Sequence, residues 1–139
     1  MYDKNKAPTE EQIKKYEFLV PMLDSAIKEM REFSKKKQNG IVSSTKTKIL
    51  NRLLTDFKEI LANEESVNYL DPLNDQELPQ NSDAVIILGQ YRSALKTFKN
   101  KHHKNIYFDG ERKHTWITKE WIEAYENDED MKMNDEDRE

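Results

Sequence analysis

The sequence predicts a mainly α-helical protein: an irregular three-helix bundle, a small C-terminal β-hairpin, a short closing helix and a disordered acidic tail. Three observations lead to this prediction. Apolar residues recur every three or four positions in three long segments before residue 103, as on one side of a helix. An Asp-Gly pair stands between short runs that contain aromatic residues. Residues 127–139 carry too few apolar side chains to order themselves, which predicts a disordered tail.

The first helix is predicted to run from Thr9 to about Lys37. Thr9 and Gln12 have the spacing of a capping box, in which each side chain accepts from the other residue's backbone N–H. Pro21 interrupts the helix but leaves its apolar stripe in phase, so we expect a kink or a short break there. The pair Asn39-Gly40 is expected to end the helix in a left-handed conformation.

The second helix is predicted to follow a cap at Ser43 or Ser44 and to end near Asn63. Its stripe is regular: Ile49, Leu50, Leu53, Leu54, Phe57, Ile60 and Leu61. Residues 64–81 then contain two prolines and scattered apolar anchors. They predict a loop with one short helical turn, and loops of this length are often functional or held to the body by their own side chains.

The third helix is predicted to begin at a cap formed by Asn81 or Ser82 and to reach about Lys104. Gly89 lies in its interior, where glycine costs about 1 kcal/mol relative to alanine, so we expect a close helix–helix contact there. The hairpin is predicted over residues 106–117, and Thr118 is positioned to cap the closing helix.

Charge is sorted along the chain. Residues 92–105 hold five Lys or Arg, two histidines and no acid, whereas residues 119–139 hold ten Asp or Glu against three Lys or Arg. The last segment therefore carries about −7, and since the chain carries −4, residues 1–118 sum to about +3. We interpret residues 1–126 as one helical domain of modal size and residues 127–139 as its acidic tail.

Several classes of protein are disfavoured by composition. The chain of 139 residues has no cysteine, so disulfides, thiolate metal sites and cysteine nucleophiles are excluded. No apolar run approaches the roughly 18 residues of a membrane span, and the N-terminus has no signal-peptide core. Three glycines leave no phosphate-cradling loop. We expect a cytoplasmic protein without a cofactor, a bound metal or a membrane contact.

The histidines do not form a recognisable catalytic or metal-binding motif. His102 and His103 are adjacent, so on a helix their side chains diverge by about 100°. His102 ends the apolar stripe and is expected to be partly buried, and His114 is expected at the hairpin surface. We therefore predict a protein that is not an enzyme.

Aromatic residues concentrate in the C-terminal third, where they either cover the core or contact another chain. Tryptophan and tyrosine dominate the energetics of many protein interfaces. The leading hypothesis is an accessory subunit or adaptor that binds another protein, and a homo-oligomer is left open. The expected partner-binding residues are Tyr107, Phe108, Trp116, Trp121 and Tyr125.

Two alternatives are kept open. The first is a nucleic-acid-binding regulatory protein that grips phosphates with the basic helix end and the hairpin, through Lys96, Lys99, Lys101, His103, Lys104, Arg112 and Lys113. The second is an acidic inhibitor or immunity-type protein whose tail imitates a polyanion and blocks a basic partner.

Overall fold

The computed structural model describes residues 2–108 and 110–128. Asp109 of the predicted turn and residues 129–139 of the predicted tail lie outside them. The elements confirm the predicted mainly α fold with a small hairpin and a short closing helix. Within the described residues they are α1 (Glu10–Lys36), α2 (Ser44–Ile60), a 3₁₀ helix (Glu65–Tyr69), α3 (Asn81–His102), β1 (His103–Phe108), β2 (Glu111–Trp116) and α4 (Lys119–Asn127).

The chain divides into two compact units. We call Lys15–Thr97 the helical unit, and Met1–Lys14 together with Phe98–Glu139 the hairpin unit. Both α1 and α3 contribute residues to each unit. The interpretation of residues 1–126 as one helical domain stays a prediction.

The start of α1 confirms the predicted capping box. The backbone N–H of Gln12 donates to the hydroxyl of Thr9 at 3.1 Å, and the N–H of Thr9 donates to the Gln12 side chain at 2.8 Å. The helix is continuous through Pro21, so of the two expected outcomes, a kink or a short break, the break is absent. Pro21 is exposed.

Gly40 follows α1 but does not serve as the expected left-handed stop. Its φ lies outside the left-handed region, and among the described glycines only Gly110 has a positive φ, at 78°. The structure instead requires glycine for space, because a Cβ on Gly40 would lie 2.7 Å from Nδ2 of Asn81. That amide donates to the carbonyl of Lys37 at 2.9 Å, just beyond the end of α1.

In the helical unit, the three helices form an irregular bundle. Lys15 near the start of α1 pairs with Glu59 near the end of α2, at 3.7 Å. At the other end, the ammonium of Lys46 lies 3.7 Å from the ring centroid of Phe33, so α1 and α2 are antiparallel. The third helix is joined to α1 by an ion pair and by a weak hydrogen bond. The ion pair is Arg92 with Asp24 at 2.7 Å, and the hydrogen bond is Tyr16 to the Leu95 carbonyl at 3.5 Å.

The core of the helical unit consists mostly of the predicted stripes. Its largest fully buried side chains include Leu23, Leu54, Phe57, Leu61, Leu73, Leu88, Tyr91 and Leu95. Ile49 is an exception, because it was predicted on the α2 stripe and is 55% exposed. The helix also ends at Ile60, three residues before the predicted boundary. Its predicted cap is confirmed, since Ser43 accepts from the N–H of Lys46.

The segment from residue 64 to residue 80 is a loop with one short 3₁₀ helix, as predicted except for Asn81, which belongs to α3, and the loop is held to the helices. Leu70 and Leu73 are buried. The side-chain amide of Asn51 on α2 exchanges two hydrogen bonds with the backbone of Leu73, both 2.8 Å long. The hydroxyl of Tyr91 on α3 donates to the carbonyl of Asp71 at 3.1 Å.

Three expectations for α3 were wrong. The helix already includes Asn81 and Ser82, and the Asn81 side chain contacts Lys37 rather than capping α3. A Cβ placed on Gly89 would meet no atom within 4 Å, so no close helix contact explains that glycine. The helix ends at His102 and β1 begins at once with His103, three residues before the predicted hairpin boundary.

The hairpin unit joins the N-terminal residues to α4. Thr118 caps α4 as predicted, by accepting from the N–H of Trp121 at 3.0 Å. The N–H of Lys119 donates to the carbonyl of Pro8 at 2.8 Å. The Glu120 carboxylate accepts a hydrogen bond from the N–H of Glu10 at 3.1 Å. It thus satisfies a backbone donor at the start of α1 that has no partner within the helix. A small buried cluster lies here, formed by Ala7, Ile117 and Ile122.

Candidate functional site

The register of β1 and β2 decides which hairpin side chains lie together. The pairing is antiparallel and begins with His103 opposite Trp116. Successive residues of a strand point to opposite faces, whereas directly opposed residues share a face. Six residues therefore share one face, which we call the hairpin face: His103, Asn105, Tyr107, Arg112, His114 and Trp116.

Each side chain of the hairpin face ends in a planar group: imidazole, amide, phenol, guanidinium, imidazole and indole. None of the six is a carboxylate. Tyr107 is 43% exposed, and Asn105, Arg112 and His114 are exposed as well. Arg112 forms no ion pair with another described residue. The face thus presents one permanent cation among aromatic and amide groups.

Aromatic contacts hold the base of this face in place. The rings of His103 and His114 are parallel to within 4°, with centroids 5.8 Å apart. The Trp116 ring meets His103 edge-on at 5.1 Å and lies 5.9 Å from Phe98, a buried residue of α3. Trp116 therefore connects the hairpin face to the interior of its unit.

The opposite hairpin face is attached to the body of the unit. Ile106 packs against the cluster of Ala7, Ile117 and Ile122. Lys104 and Lys113 share this opposite face with Ile106 by register. The residues predicted to bind nucleic acid are therefore divided, because Arg112 and His103 lie on the hairpin face and these two lysines do not.

The helical members of the predicted basic set are Lys96, Lys99 and Lys101, and all three are exposed on α3. Lys96 belongs to the helical unit, whereas the other two belong to the hairpin unit. His103 and Lys104 were predicted as part of the helix end, but they lie in β1. Lys104 donates to the carbonyl of Asn100 at 3.2 Å, close to the end of α3.

The aromatic residues predicted to bind a partner also separate into groups. Tyr107 and Trp116 lie on the hairpin face, whereas Trp121 and Tyr125 lie on α4 and stack at 5.2 Å. Tyr2 contacts both α4 rings edge-on, at 5.2 Å from Trp121 and 6.3 Å from Tyr125. The side chain of Phe108 lies outside the described part of the chain.

The acids of α4 interact with the N-terminal residues. Glu123 forms a hydrogen-bonded ion pair with Lys4. The hydrogen bond to the Glu123 carboxylate raises the pKa of the Lys4 ammonium above its ordinary value. Glu120 accepts from the N–H of Glu10. These two carboxylates thus have partners other than the hairpin cations.

The histidines occupy the expected surroundings. His102 is buried and its ring lies 4.9 Å from that of Phe98, whereas His114 is exposed. Across residues 2–108 and 110–128, no group of three or more His, Asp or Glu side chains is arranged to hold a metal ion.

Sequence reasoning missed Asn105 and Tyr2, and it considered His114 only as a surface residue. Counting outward from the Asp109-Gly110 turn in two-residue steps would have placed Asn105 and His114 opposite each other. Nothing local in the sequence links Tyr2 to Trp121, since 119 positions separate them.

Searches of protein-family models, curated proteins and solved structures find no match to this chain. Among the described residues, no helix is both long enough and apolar enough to cross a bilayer.

Proposed function

We propose that this chain is a non-enzymatic binding protein, an accessory subunit or adaptor, that contacts another protein through the hairpin face. One observation carries the proposal: Tyr107, Arg112 and Trp116 share that face, and no carboxylate stands among its six residues. Tyrosine, tryptophan and arginine are the residues most enriched at interface hot spots. A single permanent cation on a face whose six residues include no carboxylate favours a partner surface that contains one.

Tyr107 and Arg112 are the residues to change first, because both are exposed and directly opposed in the register. Trp116 is less suitable, since its contacts with Phe98 and His103 make a loss of folding hard to separate from a loss of binding. The double variant Tyr107→Ala/Arg112→Ala removes the opposed pair of the face that lies nearest the turn. The matched control Lys104→Ala/Lys113→Ala changes two exposed residues of the opposite face.

The test is affinity purification from the source cell, with mass spectrometry and with nuclease added. We expect a protein partner that survives nuclease and the control substitutions, and whose purified form binds Tyr107→Ala/Arg112→Ala at least ten-fold more weakly. Circular dichroism must show that both variants are folded. Equal affinity for the two double variants would remove the hairpin face from the proposal.

A second candidate function is nucleic-acid binding, and the hairpin face favours a single-stranded ligand. Bases stack on aromatic side chains and on guanidinium planes, and the face carries Tyr107, Trp116, Arg112 and the parallel pair of His103 and His114. The division of Lys104 and Lys113 from Arg112 weakens a phosphate-gripping role for the whole predicted basic set.

Fluorescence anisotropy with labelled single-stranded oligonucleotides tests the second candidate. Binding through phosphates must weaken steeply between about 50 and 200 mM salt. Binding through the face must also be lost in Tyr107→Ala/Arg112→Ala and kept in Lys104→Ala/Lys113→Ala. Absence of binding at the lower salt concentration rejects nucleic acid as the partner.

A further inference from the structure

A groove in the helical unit has no role in the function proposed above. It lies between the loop that precedes α3 and the first turns of that helix, with a volume of about 670 Å³. Its apolar lining includes Ile41, Pro72, Leu78, Pro79 and Ile86. Ile41 is 59% exposed and Ile86 is 60% exposed. Single exposed apolar residues are ordinary, but two isoleucines on one groove with two prolines form a patch.

The walls of this groove are fixed by hydrogen bonds. The neighbouring Leu73 is held by the two bonds from Asn51, and the carbonyl of Asp71 accepts from Tyr91. On the other side, Ile41 and Gln80 form an isolated antiparallel bridge. The groove is therefore preformed, which lowers the ordering cost of binding.

The charged residues that line the groove are all acidic. They are Glu77 and Asp83, both exposed, and no Lys or Arg belongs to the lining. Asp71 and Asp75 are nearby in sequence and exposed too. An apolar surface with an anionic rim complements a ligand that combines aliphatic and cationic groups.

The backbone at Ile41 offers an open strand edge. Val42 donates to the carbonyl of Pro79 at 2.9 Å, and Asn81 donates to the carbonyl of Gly40 at 2.7 Å. In this antiparallel pattern, the N–H and C=O of Ile41 point away from Gln80. Among the described residues, no backbone group bonds to them. An added strand can pair with such an edge while its side chains enter the adjacent groove.

We propose that this groove binds an extended peptide segment of another protein, in which aliphatic side chains are flanked by Lys or Arg. The aliphatic side chains cover Ile41 and Ile86, and the basic ones meet Glu77 and Asp83. The proposal does not rest on the hairpin face, whose residues belong to the other unit. A second copy of this chain is the competing occupant.

The test begins with random heptapeptides displayed on phage and selected on the full chain. Counter-selection uses the variant Ile41→Ser/Ile86→Ser, whose changes lie at exposed positions. We expect enriched peptides to combine aliphatic residues with Lys or Arg. The absence of peptides selective for the wild-type chain, or enrichment of acidic ones, overturns the proposal.

An enriched peptide is then synthesised with a fluorescent label and titrated by anisotropy. We expect binding at least ten-fold weaker for Ile41→Ser/Ile86→Ser and for Glu77→Gln/Asp83→Asn. The matched control Phe18→Ser/Ile49→Ser changes residues that are 73% and 55% exposed elsewhere in the helical unit, and it must bind as the wild type does. Equal loss in the control overturns the assignment of the peptide to the groove.

Sedimentation of the unliganded chain tests the competing occupant. Self-association that disappears in Ile41→Ser/Ile86→Ser assigns the groove to a second copy and overturns the peptide proposal. If the groove binds no peptide, the peptide proposal fails but the hairpin-face proposal does not. Tyr107 and Arg112, which carry the latter, are unchanged in every groove variant.

Discussion

The side chain of Asn51 acts as a hydrogen-bonding partner for the backbone of Leu73. Its Nδ2 donates to the Leu73 carbonyl and its Oδ1 accepts from the Leu73 N–H, each at 2.8 Å. Leu73 is buried, so its peptide groups have little access to water. One amide thus fastens the middle of the loop before α3 to α2.

We expect Asn51→Ala to lower the free energy of unfolding by about 2 kcal/mol, because each lost hydrogen bond contributes about 1 kcal/mol. Urea denaturation of the full chain measures the effect. The control is Asn63→Ala, which removes an exposed amide that is not on a helix. Similar urea midpoints for Asn51→Ala and Asn63→Ala would show that the two hydrogen bonds between Asn51 and Leu73 do not anchor the loop.

Gly89→Ala is expected to raise the free energy of unfolding by about 0.5 to 1 kcal/mol. Glycine in a helix interior has more freedom to lose on folding than alanine. The new methyl group meets no atom within 4 Å, so nothing opposes this gain. Thermal and urea unfolding would both shift upward, and a downward shift contradicts the open surroundings of this residue.

Gly40→Ala is expected to change stability in the opposite direction. Its Cβ would lie 2.7 Å from Nδ2 of Asn81, so the amide must move away from the Lys37 carbonyl. The loss is about 1 kcal/mol or more, the contribution of one hydrogen bond with some strain. The two alanine variants are matched controls for each other, since they add the same methyl group.

Tyr2→Ala is expected to expose Trp121 to water. In a Trp116→Phe background, Trp121 is the remaining tryptophan, and its emission should shift to longer wavelength when the Tyr2 ring is removed. The loss of edge-to-face contacts should also lower the free energy of unfolding by about 1 kcal/mol. Tyr107→Ala in the same background is the control and should leave the emission unchanged.

Tyr91 predicts a specific loss of stability in alkali. Burial, the larger cause, and the nearby Asp71 carboxylate together raise the pKa of the Tyr91 hydroxyl to about 12. The folded state then holds this proton at a pH where the unfolded state releases it, so the contribution is complete below pH 10 and is lost as the pH rises towards 12. Between pH 10 and pH 12, the free energy of unfolding should fall less steeply with pH for Tyr91→Phe than for the wild type. Parallel curves would contradict the raised pKa.

The sequence predicted the elements whose determinants are local. The capping box of Thr9 and Gln12, the cap at Ser43 and the cap at Thr118 each involve residues three positions apart. The turn at Gly110 likewise depends on its own backbone conformation. Such signals can be found without knowing which elements meet.

The features that sequence reasoning missed depend on residues that meet only in the folded chain. Gly40 is needed because of Asn81, and Leu73 is anchored by Asn51. The hairpin face could be predicted only in part, since a shift of one residue in register exchanges the two faces of each strand. Because β1 begins at His103, two residues of the predicted basic set, His103 and Lys104, lie in the strand and not at the helix end.

The bonds between Pro8 and Lys119, and between Glu10 and Glu120, impose an order on events during synthesis. The helical unit has all its residues once Thr97 has left the ribosome. The first ten residues, although made earliest, must wait for their partners more than a hundred positions later. Closing so long a loop is entropically costly. We therefore expect the beginning of the polypeptide to be among the last parts to reach its native place in a nascent chain.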